Sequence, residues 1–416
     1  MGLIGRRGFV VTAAGALAAL ATAGDAAAVP ASARRRRRHG PGPEFRGMWL
    51  ASVANRDWPS RPGLTAAEQR DELLALLDTA VARRLNAVVF QVRPTADALW
   101  PSPHEPWSAY LTGVQGKDPG WDPLGTAVRE AHLRGLELHA WFNPYRVANH
   151  TDPSRLVASH PARVHPDWIL PYGGKLYYNP GLPDVRRFVQ DAMMDAVLRY
   201  DIDAVHFDDY FYPYPVAGQV FDDDATYARY GAGFPDKAAW RRDNTDRLVS
   251  GMADRIKKAR TRVRFGISPF GVWRNATTDP LGSDTRAGVQ TYDDLHADTR
   301  KWVKQGWIDY IVPQIYWNIG FAVADYAKLL PWWNDVVRGT GVHLYAGEAL
   351  YKSGAPGQPA PWQDPAELSR HLTLARAYPH VRGHCFFSAK EVMTDPIGAM
   401  ARVVADHYPT RVAPPS

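Results

Sequence analysis

Cysteine is almost missing from this chain. Cys385 is the only one in 416 residues, so no intramolecular disulfide can form and the fold must rest on its core. It sits in the apolar run Gly383-His-Cys-Phe-Phe387 and reads as a small buried hydrophobe, not a nucleophile. Long apolar stretches are missing too. The run over residues 10–23 is too short to cross a bilayer comfortably, so no stable membrane span is expected. No Gly-x-Gly-x-x-Gly follows an apolar run to cradle a dinucleotide, and no Gly-x-Ser-x-Gly elbow marks a serine hydrolase. The 14 histidines are scattered, no metal site stands out, and no cofactor is implied. Asp222-Asp-Asp224 is acidic enough to attract calcium but reads as a solvated loop run.

Basic charge is the next absence, because the formal +6 resides wholly in the first 38 residues. Five arginines at 34–38 and the pair Arg6 and Arg7, set against Asp25, leave residues 39–416 neutral. Nucleic-acid binding thereby loses its electrostatic footprint. What the leader does contain is Arg6-Arg7-Gly8-Phe9-Val10, an apolar stretch, and small-residue sites ending at Ala28 or Ala33. The spacing predicts a twin-arginine-type export signal over 1–28, an Arg-rich leader over 29–43, one domain over 44–410, and a tail over 411–416. The expected location is outside the cytoplasm, extracellular or in the cell-wall or periplasmic space.

From Glu44 onward a short apolar run, a polar or aromatic loop and a helical stretch recur eight times. Strands are predicted over 45–50, 87–92, 136–142, 204–207, 264–268, 310–315, 343–347 and 383–387. Helices are predicted over 65–84, 123–134, 183–200, 236–260, 292–305, 322–338, 364–377 and 396–407, with apolar residues at three- and four-residue spacing. Eight such units predict an α/β fold, a TIM-type (β/α)8 barrel with long loops at the carboxyl-end face. The long connections 93–121, 143–183 and 208–236 all follow strands, so they fall on the face where barrel enzymes keep their sites.

Chemistry-bearing residues gather at the strand ends. Asp203-Ala-Val-His-Phe-Asp-Asp-Tyr-Phe-Tyr-Pro213 runs a buried strand into two adjacent carboxylates, which are costly to desolvate for structure alone. Asp208 continues the Ala204 and His206 face, because side chains alternate with period two. The same alternation sends Gln91 and Arg93, Trp141 and Asn143, and Gln314 and Tyr316 to the barrel mouth, with Ser388 and Lys390 beyond the last strand. Aromatics cluster there too: Trp49, Tyr145, Tyr210, Trp273 and Trp317 are the further binding candidates. Flat rings beside amides and arginines suit sugars, whose faces are apolar and whose edges carry hydroxyls.

Six segments together resemble the glycosyl-hydrolase-like family 10 of exported bacterial barrels. They are Phe45-Arg-Gly-Met-Trp-Leu-Ala51, Ala87-Val-Val-Phe-Gln-Val-Arg-Pro-Thr-Ala-Asp97, His139-Ala-Trp-Phe-Asn-Pro-Tyr-Arg146, Ala204-Val-His-Phe-Asp-Asp-Tyr-Phe-Tyr-Pro213, Phe265-Gly-Ile-Ser-Pro-Phe-Gly271 and Val312-Pro-Gln-Ile-Tyr-Trp317. The resemblance implies a glycosidase whose partner is a polysaccharide, in one branch peptidoglycan strands stripped of peptide, with association at the cell wall or its division machinery.

Two catalytic arrangements remain open. Most glycosidases need two carboxyl groups, roughly 5–5.5 Å apart for retention or 6.5–9.5 Å for inversion. One arrangement pairs Asp208 or Asp209 with Glu348 after the seventh strand, although Glu348 shares the parity of Leu344 and Ala346. The other uses the Asp pair alone and lets the acetamido oxygen of an N-acetylated sugar attack its own anomeric carbon. Outside hydrolysis of wall glycan, a non-catalytic glycan-binding adaptor and a glycosidase for a neutral polysaccharide are the alternatives. Adjacent buried acids speak against the adaptor, since binding alone gains little from them.

Overall fold

A computed structural model describes residues 42–415; the proposed export signal and most of the leader lie outside the described residues. The barrel strands are Phe45–Leu50 (β1), Ala87–Arg93 (β2), Glu137–Phe142 (β3), Ala204–Phe207 (β4), Arg264–Ile267 (β5), Tyr310–Ile311 (β6), His343–Glu348 (β7) and Val381–Phe387 (β8). Each pairs in parallel with its neighbours in chain order, and β8 closes on β1. The eightfold alternation therefore does build a closed TIM-type barrel. No helix among the described residues is long and apolar enough to cross a membrane.

Period-two alternation sorts every strand into two faces. Val88, Phe90 and Val92, Leu138 and Ala140, and Val205 and Phe207 join the core between strands and helices. Phe45, Trp49, Val89, Trp141, Tyr310 and Tyr345 instead fill the barrel interior around Cys385. Phe45 stacks on Tyr345 with ring centroids 4.1 Å apart. Gly266 makes room for this layer: a Cβ there would meet the Tyr310 ring at 2.0 Å.

The helix that follows β1, Ala66–Ala82, starts with a capping box in which Thr65 and Glu68 satisfy each other's backbone N–H. It buries Leu73, Leu76 and Leu77, and truncating one such leucine to alanine costs about 2–5 kcal/mol. Two differences from the predicted elements have plain causes. β6 stops after two residues because Pro313 has no N–H to continue the ladder, although its carbonyl still accepts the N–H of Gly347 at 3.0 Å. The helix predicted over 292–305 is confined to Thr299–Lys304, because Asp298 caps it by accepting from Lys301 N–H.

The connection after β3 carries a small antiparallel sheet of Arg146–Ala148, Ile169–Tyr172 and Lys175–Tyr178. Its hairpin turns on Gly173 and Gly174, both with positive φ, which glycine adopts without steric cost. The tail is held rather than loose. Carbonyls of Val412, Ala413 and Pro415 accept from Asn86, Glu44 and Arg264 at 3.0–3.1 Å across the amino end of the barrel.

Candidate active site

A cavity of about 540 Å3 opens at the carboxyl ends of the strands. Asp208 and Asp209 lie on its floor, where β4 ends and Ser268 N–H takes the Phe207 carbonyl at 2.8 Å. Asp208 is 3 % exposed and Asp209 7 %. Asp208 Oδ2 accepts from Trp141 Nε1 at 3.1 Å and from Asn143 Nδ2, while its Oδ1 accepts from the Tyr210 backbone N–H at 3.1 Å.

Asn143 is in turn held by a relay. Its Oδ1 accepts from Gln91 Nε2 at 2.5 Å and from Arg146 at 3.2 Å, and Gln91 Oε1 accepts the N–H groups of Ser52 and Val53. With every amide polar group used, the relay fixes the Asp208 carboxyl in one orientation. Asp209 has a separate partner, the Tyr214 hydroxyl, which donates to its Oδ2.

Burial pushes both carboxyls upward, and for Asp208 the adjacent Asp209 adds to the effect, bringing it to about 7. Arg146 opposes the shift at both. It lines the cavity with its guanidinium 4.9 Å from the Tyr210 ring centre. Neighbouring buried carboxyls resist joint ionisation, which favours a protonated Asp208 near neutrality.

Beneath the floor, His206 bonds Ser268 Oγ at 2.8 Å and the Tyr310 hydroxyl at 3.1 Å, and accepts from Trp49 Nε1 at 3.3 Å. Burial and then His139 push its pKa well down, so it is a neutral pillar under the site rather than a counter-ion.

Of the residues predicted from sequence, Trp49, Gln91, Trp141, Asp208, Asp209, Tyr210, Gln314 and Tyr316 line this cavity. Asn143 sits directly behind Asp208 and His206 lies below it. The others are elsewhere. Arg93 is spent on Glu105, at 2.5 Å, and on the carbonyls of Asn143 and Pro144. Tyr145 is fully buried in the core. Trp273 donates to Asp298 at 3.0 Å and stacks on Trp332. Trp317 packs edge-on against Phe270 and Lys390 is exposed, neither lining the cavity.

Glu348 is the chief displacement. It is wholly buried on the helix-facing side of β7, where Tyr326, His371 and His384 take up its oxygens. Asp223, from the acidic run, is also buried and is neutralised by Arg241 and Lys237.

Residues not anticipated complete the wall: Arg56, Arg146, Ser268, Tyr351 and Phe387. Alternation would have found two of them, since Ser268 follows inward Gly266 and Phe387 follows inward Cys385. Arg56 and Tyr351 are on loops, where no periodicity points.

The sequence pattern described as glycosyl hydrolase-like 10 matches residues 44–364. The chain belongs to that family. It is 53 % identical to glycosyl hydrolase YngK of Bacillus subtilis over 367 residues, covering 88 % of this chain and 72 % of the relative. It is 43 % identical to glycosyl hydrolase DigH of Escherichia coli over 363 residues, covering 82 % of each. Among solved structures, the glycoside hydrolase domain of PgaB (BpsB) from Bordetella bronchiseptica shares the fold. It has a TM-score of 0.54 at 13 % identity, with 87 % of this chain and 98 % of that one covered. Alpha-L-fucosidase isoenzyme 2 from Paenibacillus thiaminolyticus aligns with a TM-score of 0.52 at 12 % identity, over 88 % of this chain and 50 % of that one. As a member of the glycosyl hydrolase-like 10 family the chain is a glycosidase.

Proposed function

We propose that this glycosidase hydrolyses bacterial cell-wall glycan, taking N-acetylhexosamine units of strands stripped of peptide, and that it does so by substrate assistance. The observation that carries the mechanism is the pair of adjacent buried carboxyls, Asp208 and Asp209, on the cavity floor, with no third carboxylate among the described residues that line it. Asp208 carries the proton and gives it to the leaving glycosidic oxygen. Asp209 stays ionised under the Tyr214 hydroxyl and accepts the acetamide N–H of the substrate. That bond orients the acetamido oxygen, which attacks the anomeric carbon as the glycosidic bond breaks. Asp208 then takes a proton from the water that opens the cyclic intermediate, and the sugar leaves as a reducing end. Trp49, Trp141 and Tyr316 supply flat apolar walls against the ring.

Two results test this. A thiazoline that mimics the cyclised intermediate inhibits competitively and binds far more tightly than the substrate, since the site complements that state. A thiazoline no better than the parent sugar would remove substrate assistance. Turnover also falls as pH rises through about 7, because the proton on Asp208 is then lost. A flat profile from pH 6 to 9 would take the acid role from Asp208. The protein acts outside the cytoplasm, reached through its twin-arginine leader, and replacing Arg6 and Arg7 by lysines holds it in the cytoplasmic fraction.

A further inference from the structure

A line of hydrogen bonds runs through the barrel interior from its amino end to the floor of the catalytic cavity. Glu137 opens β3, and its Oε2 bonds His139 Nε2 at 3.1 Å. His139 Nδ1 meets the Tyr310 hydroxyl at 2.9 Å, and the same hydroxyl meets His206 Nδ1 at 3.1 Å. His206 Nε2 then meets Ser268 Oγ at 2.8 Å, one residue past β5. His139, Tyr310, His206 and Ser268 are all buried, and of the whole line Ser268 alone borders the cavity.

Each hydrogen in this line has one place to be. Burial pushes both imidazoles below the ordinary histidine range, so each is neutral and carries a single N–H. Trp49 Nε1 can only donate, and it donates to His206 Nε2 at 3.3 Å, so that nitrogen is bare. His206 Nδ1 therefore holds the hydrogen and gives it to the Tyr310 oxygen. The Tyr310 hydroxyl gives its own to His139 Nδ1, and His139 Nε2–H goes to Glu137. The far end demands the same order independently. His139 and Arg264 hold Glu137 ionised against burial, and a carboxylate only accepts. Arg264 also approaches His139 Nε2, at 3.5 Å, but its closer partner is Glu137 Oε2. A pure donor at one end and a pure acceptor at the other thus impose one polarity on the line.

Ser268 is where that polarity reaches the cavity. Facing a bare nitrogen it donates, so its hydrogen points into the barrel and its oxygen has only lone pairs left for a ligand. Among the described residues none donates to that oxygen. The Ser268 backbone is already spent, its N–H on the Phe207 carbonyl and its carbonyl on Gln314 Nε2 at 2.9 Å. Gln314 also bonds Asp209, which sets Ser268 beside the acid pair. We propose that Ser268 is a specificity-determining residue that accepts a hydroxyl hydrogen of the sugar over Asp208 and Asp209, and that His206, Tyr310, His139 and Glu137 are positioning residues acting through it. The inference rests on the reading of an N-acetylhexosamine substrate and deepens it.

The first test needs no substrate. Long-range proton–nitrogen correlation spectra of the histidine-labelled wild-type protein show His206 protonated at Nδ1 and bare at Nε2, and His139 the reverse, from pH 6 to 8. A hydrogen on His206 Nε2 would turn the Ser268 hydroxyl round and overturn the proposal. The second test uses N-acetylglucosamine oligomers and their monodeoxy analogues. Ser268→Ala lowers kcat/KM on the parent oligomer about tenfold, as expected for one hydrogen bond lost in a buried site. One deoxy position costs the wild type a similar factor but costs Ser268→Ala less than about twofold, because its partner is already gone. If every deoxy position costs both enzymes alike, the contact does not exist. Tyr310→Phe breaks the line between the two imidazoles, and it lowers kcat/KM with Ser268 present but by less than about twofold in the Ser268→Ala background. An equal loss in both backgrounds overturns the positioning role. Oligomers left uncleaved by folded wild-type enzyme would refute the functional reading, while calorimetric binding of the same series still decided the contact.

Discussion

Asp208→Asn and Asp209→Asn each lower turnover on wall glycan by about 10² or more, the loss expected when a positioned acid or base is removed. The two are separated by the leaving group. With an activated aryl glycoside, whose departing oxygen needs no proton, Asp208→Asn recovers much of its rate for the bond-breaking step. Asp209→Asn does not, because the acetamide has lost the group that orients it. Stability moves the other way. Asp208 has its carboxyl raised to about 7 in the folded protein, so the fold carries no penalty below the ordinary Asp range. The penalty grows as pH rises from about 4 to 7, while the unfolded chain ionises and the folded one resists, and it stays constant above that. Asp208→Asn removes it, so its melting temperature at pH 7.5 equals or exceeds the wild-type value, with the difference shrinking toward pH 4. Full activity in both variants would take this strand end out of the mechanism.

The barrel was legible because each strand is bounded by its own chemistry. The pattern in 87–92 assigns Val88, Phe90 and Val92 to the helices, and they are there. The same rule sends Gln91 inward, where its amide anchors Asn143. It fails at the last residue of β2, where the register against β3 shifts between Gln91 and Arg93 and the following loop claims the side chain. Arg93 shows this: its parity points to the mouth, yet Glu105 from the following loop claims it completely. Trp273 and Trp317 were drawn to the site by their type, but such rings are as useful against each other, and Trp332 and Phe270 occupy them. The hairpin at Gly173-Gly174 lies within the connection 143–183 and was not predicted, although its turn glycines and the flanking Leu170, Tyr172, Leu176 and Tyr178 carry a hairpin signal.

Glu348→Gln lowers stability by about 3–5 kcal/mol and leaves turnover per folded molecule within about tenfold of wild type. The reason is the company Glu348 keeps. Its Oε2 bonds His371 Nδ1 at 2.8 Å, and its Oε1 bonds His384 Nδ1 at 2.9 Å and the Tyr326 hydroxyl at 2.7 Å. Burial alone would raise its pKa, but the charge and hydrogen bonds of His371 and His384 pull it down to about 2. His371 is shifted upward against burial by Glu348 and then Glu367, and its ring lies 3.7 Å from that of Tyr326. The cluster therefore ties β7 and β8 to the helices Tyr326–Val337 and Glu367–Ala375. Its contribution has two limits. The Glu348 part is present above the ordinary Glu range and is lost as pH falls toward 2. The His371 part is full below about 6.5 and fades as pH rises through the elevated His371 value. Glutamine keeps the shape but removes the charge, which strands a buried imidazolium or forces it to deprotonate. Chemical denaturation at pH 6, with activity normalised to folded enzyme, reads both quantities. A variant as stable as wild type but slower by 10² or more would assign Glu348 the second catalytic role and end the two-aspartate mechanism.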